Sequence, residues 1–418
     1  MKTLCKQIVE CIIILLILSG TSSLNAQDNN GEYITISGVV KDKSTKKRLE
    51  YVNVTIPGSN IGTVTNGDGE FLVKVNNFVV SKNVEISHIG YNNYIIPVKN
   101  QSISDVTVWL SPNANVLREV IIHAQDPRSL VEAAISKISS NYSPKSNLFT
   151  GFYRETAQKG RRYINISEAI IDIYKTSYGE RVDKDRVQIF KGRKLLSQKQ
   201  SDTLVVKLLG GPNLSVYADV AKNPDILLDL ESLPYYSFRM EESTTIDNRP
   251  HYVINFQPQA ILPYALYYGK LYIDKENLAF SRAEFNLSMD DRNKATRAIL
   301  KKKPFGLRFK PLEVSFLVTY KQRNNISYLS YIRNEVRFKC DWKRKLFSTN
   351  YTILSEMVVT DGKEQKEGIP YKVAFKSNQS LSDKVEDFMD EDFWGAYNII
   401  EPTESLESAV YKLKKQHD

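Results

Sequence analysis

The turn Asn66-Gly67-Asp68-Gly69-Glu70-Phe71 decides the fold of the first part of the chain. Apolar residues alternate with polar ones upstream of it, from Ile36 to Val40 and from Val52 to Ile56, and the alternation resumes from Phe71 to Val75. A period of two residues is typical of a strand with one buried face. Asn-Gly followed by Asp-Gly between such strands favours a tight hairpin, because the turns that suit hairpins need positive φ. The stretch therefore predicts a small β-sandwich.

The composition of the whole chain also favours β-strands. The 418 residues include 24 Tyr and 17 Phe, and aromatic side chains pack well on strands. A chain of this length predicts two or three domains. The net charge of +9 is a mild excess, and basic residues are not interleaved with aromatic ones as in a nucleic-acid-binding module. Nucleic acid is therefore not expected as a partner, and Lys301 to Lys303 before Pro304 is predicted to be a solvated turn.

The first 26 residues have the features of a secretory signal peptide. Lys2 and Lys6 precede the apolar run from Ile12 to Leu18, and Leu24-Asn25-Ala26 offers a cleavage site after Ala26. A membrane anchor is the alternative, but the apolar run is shorter than the roughly 20 residues that a span needs. Cleavage would leave Cys340 as the lone cysteine, so no internal disulfide is expected. We expect a periplasmic or outer-membrane-associated protein, stabilised by packed β structure.

Four motifs in order resemble a known family. They are Gly38 to Asp42, Val52 to Val54, Gly62 to Phe71 and Ile89 to Tyr91, and their order is similar to that of the carboxypeptidase-regulatory-like domain, whose fold resembles transthyretin. The resemblance implies an antiparallel β-sandwich over residues 34–111. It also implies an envelope protein of a Gram-negative bacterium, because similar modules head outer-membrane transporters. No catalytic residue is inherited from this non-catalytic module.

A second, larger domain is predicted over residues 129–377, after a linker at 112–128. Asp126 is placed to cap a helix that begins with Pro127 and continues to about Asn141. Long alternating segments separated by turn residues then predict a larger curved antiparallel sheet with that one helix packed against it. The block from Gly269 to Phe285 looks like part of the half-barrels of lipoprotein carriers, a weaker resemblance. The fold class predicted for the whole chain is mainly β.

A C-terminal tail is predicted from residue 378 to residue 418, with a short helix from about Ser405 to Lys414. Trp394 is expected to pack against the sheet. As an alternative, Phe393 and Trp394 together are the candidate partner surface of the chain, because exposed aromatic side chains are frequent at interfaces.

Catalytic and metal-binding patterns are missing from the sequence. The histidines His88, His123, His251 and His417 stand far apart, and neither a zinc-peptidase spacing nor a Gly-x-Ser-x-Gly elbow occurs. The acidic pair Asp290-Asp291 and the run from Asp390 to Asp392 are interpreted as charged turns. Arg154-Glu155 in the first long strand is interpreted as a surface cross-strand pair, with a functional ion pair as the alternative. We therefore predict no catalytic residue, no metal site and no cofactor.

Three functional hypotheses follow. The first is a non-enzymatic exported envelope protein, in which the sandwich is a docking or spacer module and the β domain binds an envelope protein or an apolar ligand. The second is a periplasmic carrier of lipids or lipoproteins, with an acyl chain in an apolar cavity between sheet and helix. The third is a hydrolase with a dispersed carboxylate site. Peripheral association with the outer membrane is compatible with the first two.

Overall fold

A computed structural model describes residues 33–76, 83–98, 101–113, 126–202, 204, 206–208, 210–342, 348–376, 379, 381–387 and 393–416. The predicted signal peptide, most of the predicted linker, His123, the acidic run from Asp390 to Asp392, and His417 lie outside the described residues. Among the helices that are described, none is long and apolar enough to cross a membrane.

The N-terminal part is a β-sandwich, as predicted. Its strands are β1 (Tyr33–Asp42), β2 (Asn53–Thr55), β3 (Gly62–Val64), β4 (Glu70–Asn76), β5 (Asn83–Ser87), β6 (Tyr94–Pro97) and β7 (Ile103–Leu110). One sheet has the order β4-β1-β7 and the other β3-β2-β5-β6. Alternate side chains from both sheets, such as Ile36, Val54, Phe71 and Val84, form one buried core. All pairs in the two sheets are antiparallel except β1 with β7, which run parallel.

The turn that begins at Asn66 joins the two sheets of the sandwich, and the prediction of a hairpin at this point is wrong. The backbone amide of Asn66 donates to the carbonyl of Glu70 over 2.9 Å, so the turn is tight. However, β3 pairs with β2 whereas β4 pairs with β1. Gly69 takes a φ of +71°, the left-handed conformation that glycine adopts at little cost. The turn is therefore a corner between sheets.

The large domain is one sheet of ten antiparallel strands with a short parallel strand at its edge. Its order is β12-β13-β14-β15-β17-β18-β19-β8-β9-β10-β20. The strands are β8 (Asn147–Lys159), β9 (Arg162–Lys175), β10 (Arg186–Leu196), β12 (Tyr236–Ile246), β13 (Arg249–Pro258), β14 (Tyr267–Asp274), β15 (Phe280–Leu287), β17 (Leu307–Arg323), β18 (Ile326–Trp342), β19 (Thr349–Glu364) and β20 (Glu386–Asp387). A separate pair joins β11 (Lys207–Leu208) to β16 (Leu300–Lys302).

Short helices cover parts of this sheet. They are α1 (Pro127–Ser136), α2 (Ile138–Asn141), α3 (Pro212–Tyr217) and α4 (Arg292–Ile299). As predicted, the Asp126 side chain caps α1 by accepting from the amide of Ser129, and Pro127 is the first helical residue. The predicted helix is interrupted at Lys137, and α2 begins at the next residue, Ile138. Leu130 and Val131 of α1 belong to the main core.

The C-terminal tail ends in α5 (Glu404–Lys414), close to the predicted helix. Its buried residues Leu406 and Leu413 pack with Ile166 of β9 and Leu195 of β10. The preceding segment runs between the sandwich and the sheet, and Thr63 of β3 donates to the carbonyl of Ile399 over 2.7 Å. The tail therefore contacts both parts of the molecule.

Candidate functional site

A groove lies along the outer edge of β10, near one end of the large sheet. The amide of Phe375 donates to the carbonyl of Val187 over 2.7 Å at one end of this edge. At the other end, Arg193 and Lys194 pair with β20. Between these contacts, Ile189 to Gly192 line a groove of about 600 Å³. Strand edges of this kind are where an added strand pairs.

The lining of this groove, which we call the basic groove, combines cationic and apolar side chains. Its described lining residues include four lysines and no Asp or Glu: Lys191, Lys372, Lys376 and Lys384. Phe190 is 57% exposed and Val373 is 51% exposed, so apolar surface stands among the charges. A ligand that carries both negative charge and apolar groups fits this lining.

Local sequence features shape the groove. The pairing of β9 with β10 contains a bulge between Ile189 and Lys191, which re-aims the side chains there. A Cβ added at Gly192 would lie 2.4 Å from Cγ1 of Val385 and 2.9 Å from the carbonyl oxygen of Glu168. The absence of a side chain at Gly192 therefore allows Val385 to pack against the strand and close one wall of the groove.

The two residues of the predicted partner surface occupy different positions. Phe393 is half-buried and lines the basic groove, where Lys191 donates to its carbonyl and lies 4.2 Å over its ring. Trp394 is only 6% exposed and meets the ring of Phe152 edge to face, so it packs against the sheet as expected. Trp394 also packs edge to face against Phe393, and it offers little surface to a partner.

Arg154 belongs to a buried ion cluster, and its assignment to a surface pair is wrong. Its Nε lies 2.7 Å from one oxygen of Glu168 on the neighbouring strand, and Nε of Arg193 lies 2.9 Å from the other. Arg154 also donates to the carbonyl of Ile400 over 2.8 Å. Burial disfavours the charge of Glu168, but the two arginines outweigh it and hold the pKa of its carboxyl below the ordinary value. This cluster fastens the tail to the sheet.

A second buried ion cluster lies in the main core. Lys175 Nζ lies 3.0 Å from a carboxylate oxygen of Asp185 and 2.9 Å from one of Asp219. The hydroxyls of Tyr178 and Tyr320 donate to Asp219 over 2.9 Å and 2.7 Å. Each charge is therefore neutralised and hydrogen-bonded, as buried charges must be.

A cavity of about 360 Å³ adjoins the Lys175 cluster. Its lining mixes Ile135, Tyr217 and Lys222 with charged residues such as Glu180 and Asp183. Burial, only partly opposed by nearby carboxylates, lowers the pKa of Lys222 to about 8. The lining of this cavity therefore mixes apolar with charged side chains.

Of the two described histidines, His251 is buried and His88 is half-buried, and they lie in separate settings. Burial lowers the pKa of His88 to about 4, and its ring packs against Tyr91. Burial also lowers the pKa of His251, whose Nδ1 lies 2.8 Å from the carbonyl of Arg249 and whose Nε2 lies 2.7 Å from Oγ of Ser281. The carbonyl accepts, so Nδ1 carries the proton and Nε2 accepts from the serine. His251 is 1% exposed, and it lines a small cavity of about 220 Å³ together with Ser281.

Other acidic residues have structural partners. Asp291 caps α4 by accepting from the amides of Asn293 and Lys294, so its interpretation as part of a charged turn holds. Among the residues that the structure describes, no three His, Cys, Asp or Glu side chains are grouped so that they could hold a metal ion. The lysines of the basic groove were missed in the sequence because sheet order, rather than chain order, brings residues 191, 372 and 384 together.

Comparison with known proteins supports the assignment of the sandwich. The family described as CarboxypepD_reg-like domain matches residues 36–122. A search of curated proteins finds no match. The match to the family is confined to the first domain and its C-terminal flank, and it confirms the resemblance seen in the sequence.

Three solved structures similar to this chain each cover a little over half of it. A DUF1329 family protein from Desulfovibrio piger is 11% identical with a TM-score of 0.23, covering 56% of this chain and 94% of its own. A LolA superfamily protein from Nitrosomonas europaea is 13% identical with a TM-score of 0.21, covering 61% and 100%. MucB in complex with MucA is 12% identical with a TM-score of 0.17, covering 58% and 100%. TM-scores this low leave the resemblance of the large domain to lipoprotein carriers a prediction.

Proposed function

We propose that this chain is a non-enzymatic, exported protein of the cell envelope whose basic groove binds an extended acidic segment of a partner protein. The observation that carries the proposal is the stretch of β10 from Ile189 to Gly192, which contains Lys191 and lies beside three further lysines, with no carboxylate among the described lining residues. An added strand would pair with the edge through its backbone, while its alternate side chains meet lysines and the apolar surface of Phe190 and Val373.

The sandwich, residues 34–111, acts in this proposal as the docking or spacer module of the protein. It is attached to the large domain at separate places. Asn60 of the sandwich donates to the carbonyl of Gly362 over 2.9 Å, and Gly90 donates to that of Thr245 over 2.8 Å. Such attachments would hold the groove at a fixed distance from whatever the sandwich contacts.

The two other hypotheses receive less support. A carrier needs an apolar cavity between sheet and helix, and the cavity found beside α1 mixes apolar residues with charged ones next to the Lys175 cluster. A hydrolase with dispersed carboxylates needs an acid and a base free to exchange protons. Glu168, Asp185 and Asp219 are instead each fixed by cations.

The proposal is tested with the mature chain and a fluorescein-labelled peptide of about six residues, the usual length of a strand, that alternates Glu with Val. Binding is followed by fluorescence anisotropy. The double variant Lys372→Glu, Lys384→Glu should bind at least about tenfold more weakly, because both charges face the groove. The matched control Lys43→Glu, Lys47→Glu makes the same charge change in an exposed loop of the sandwich and should bind as the wild type does.

A second peptide separates strand addition from simple charge attraction. It keeps the glutamates but has proline in place of each valine, so every second backbone N–H donor is lost and pairing as a strand is disfavoured. It should bind at least about tenfold more weakly than the valine peptide. The proposed groove function would be overturned if the valine and proline peptides bound equally well. It would also be overturned if the groove variant and the sandwich control variant lost the same amount of peptide binding.

A further inference from the structure

A strongly basic segment occupies another part of the large domain. Residues 292–312, which we call the basic loop, contain eight Lys and Arg and no Asp or Glu. The segment comprises α4, β16, a turn and the start of β17. It shares no residue with the basic groove. A segment with so many positive charges and no negative ones forms a surface that attracts an anionic partner.

Like charges face each other where the basic loop forms its short strand. Lys302 of β16 lies directly opposite Lys207 of β11, and both are exposed. Both lysines therefore add positive charge to the same surface as the basic loop.

The most exposed large apolar side chain of the described residues projects from the same loop. Phe305 is 98% exposed and stands at the tip of the turn that leads into β17. The turn is held by Lys303, which donates to the carbonyl of Leu307 over 2.7 Å, and Gly306 takes a φ of +80°. Beneath it, Leu307 is buried in a small apolar core. Phe305 is therefore presented by a supported turn, although water is an unfavourable environment for its ring.

A neighbouring loop carries a second exposed apolar side chain. Ile261 is 94% exposed, and Tyr264 of the same loop is also exposed. Arg297 of α4 donates to the carbonyl of Pro263 over 3.2 Å, which joins this loop to the basic loop. Ala265 packs against the same small core as Leu307. The two loops therefore lie next to each other.

We infer that these two loops dock the protein on a bilayer surface that bears anionic lipid headgroups. The lysines and arginines of the basic loop would lie among lipid phosphates, while Phe305 and Ile261 enter the boundary between headgroups and acyl chains. Combined charge attraction and shallow apolar insertion is the usual mode of peripheral membrane binding. A soluble polyanion would satisfy the charges but would leave Phe305 in water, so the observations favour the lipid surface.

The inference is tested by sedimentation of the mature chain with vesicles of phosphatidylcholine that contain about 30% phosphatidylglycerol, a composition with a negative surface. Phe305→Ser should weaken vesicle binding about tenfold, because the variant has no aromatic ring to insert into the bilayer. The double variant Lys301→Glu, Lys302→Glu should weaken it at least about tenfold and reduce its salt dependence. Vesicles of phosphatidylcholine alone should bind weakly.

Two matched controls separate this surface from the rest of the chain. Phe190→Ser removes an exposed ring in the basic groove, and Lys43→Glu, Lys47→Glu changes the same charge in the sandwich; neither should change vesicle binding. Wild-type protein that does not sediment with the anionic vesicles would overturn the inference. So would Phe305→Ser that binds as the wild type does, since charge alone would then indicate a soluble polyanion. Peptide binding in the basic groove is measured separately, so failure of either proposal is distinguishable from failure of the other.

Discussion

Asn66 Nδ2 donates to the carbonyl oxygen of Pro402 over 2.9 Å, although the two residues are 336 positions apart. The turn that decides the sandwich fold is thus also the place where the C-terminal tail is fastened. Next to it, Oδ2 of Asp68 accepts from the amide of Glu404 over 2.8 Å, at the first residue of α5. The helix N-terminus favours a negative charge there. The sandwich therefore supplies part of the cap of the last helix.

The first prediction concerns this cap. Asp68→Ala should speed hydrogen exchange of the Glu404 amide roughly fivefold, corresponding to about 1 kcal/mol for a lost capping hydrogen bond. The global unfolding temperature should change little, because Thr403 still caps the amide of Leu406. Exchange is measured by NMR, with Asp105→Asn as a control that removes a sandwich carboxylate away from the tail. Unchanged exchange at Glu404 would show that the sandwich does not stabilise the helix.

The second prediction concerns the buried ion cluster. Glu168→Gln should lower the free energy of unfolding by about 3 kcal/mol near neutral pH, because Arg154 and Arg193 lose their carboxylate. The carboxyl has a lowered pKa in the folded state, so its stabilisation is complete above the ordinary pKa of glutamate. That stabilisation is lost as the pH falls through the lowered value. The difference between wild type and variant should therefore shrink in acid.

Urea unfolding at neutral and acid pH measures this difference. The control is Glu132→Gln in α1, whose partner Arg128 lies 3.0 Å away in an exposed pair. Exposed pairs contribute little, so this variant should change the free energy of unfolding by less than about 0.5 kcal/mol. A Glu168→Gln effect that stays constant with pH would contradict the assignment of an ionised, stabilising carboxylate.

The third prediction concerns a buried carboxyl whose replacement should stabilise the protein at neutral pH. Burial raises the pKa of Glu155, which accepts from the hydroxyl of Tyr153 over 3.0 Å and from the amide of Gly211 over 3.3 Å. A carboxyl with a raised pKa stabilises the fold fully only below its unfolded pKa, and this contribution is lost as the pH rises through the folded value. Glu155→Gln should therefore stabilise the protein at neutral pH, by roughly 1 kcal/mol on the usual scale of single substitutions.

The gain in Glu155→Gln should disappear in acid, where the wild-type side chain is also neutral. Thermal unfolding across the pH range measures it, with the exposed Glu367→Gln as the control. A gain that is equal at acid and neutral pH would show that shape rather than charge is responsible.

Strand alternation was sufficient to predict the sandwich from sequence, because its core residues come from short segments with one buried face. It was not sufficient for β9. Ser167, Glu168 and Ala169 to Ile171 are all buried, since the tail covers one face of this strand and the main core the other. A strand covered on both faces loses the alternation that marks which charges are exposed. The burial of Glu168 on this strand was therefore missed, and with it the burial of its partner Arg154 on β8.

Long-range order explains why the basic groove was missed. β8, β9 and β10 precede the other strands of the large sheet in the chain, yet they lie beyond β19 in the sheet. This order places Lys191 of β10 beside Lys372 and Lys384 from the segment after β19. No local pattern encodes that arrangement, whereas the turn and cap residues around Asp126 act on their immediate neighbours and were predicted correctly.

The last prediction tests the wall of the basic groove. Gly192→Ala places a Cβ 2.4 Å from Cγ1 of Val385, closer than nonbonded carbon atoms can approach. Val385 must move outward, so the free energy of unfolding should fall by about 2 kcal/mol, as is usual for overpacking. The displaced side chain should also weaken binding of the Glu-Val peptide.

Gly179→Ala is the matched control, because a Cβ there would have only an ordinary contact of 3.7 Å with Oγ of Ser177. Stability is measured by urea unfolding and peptide binding by fluorescence anisotropy on the same samples. If Gly192→Ala is less stable but binds the peptide as tightly as wild type, Val385 is a packing residue only and the binding wall lies with the lysines. If stability and peptide binding both fall, the absence of a side chain at Gly192 is needed for two things. It lets Val385 pack against β10, and it keeps the neighbouring part of the β10 edge able to bind the peptide.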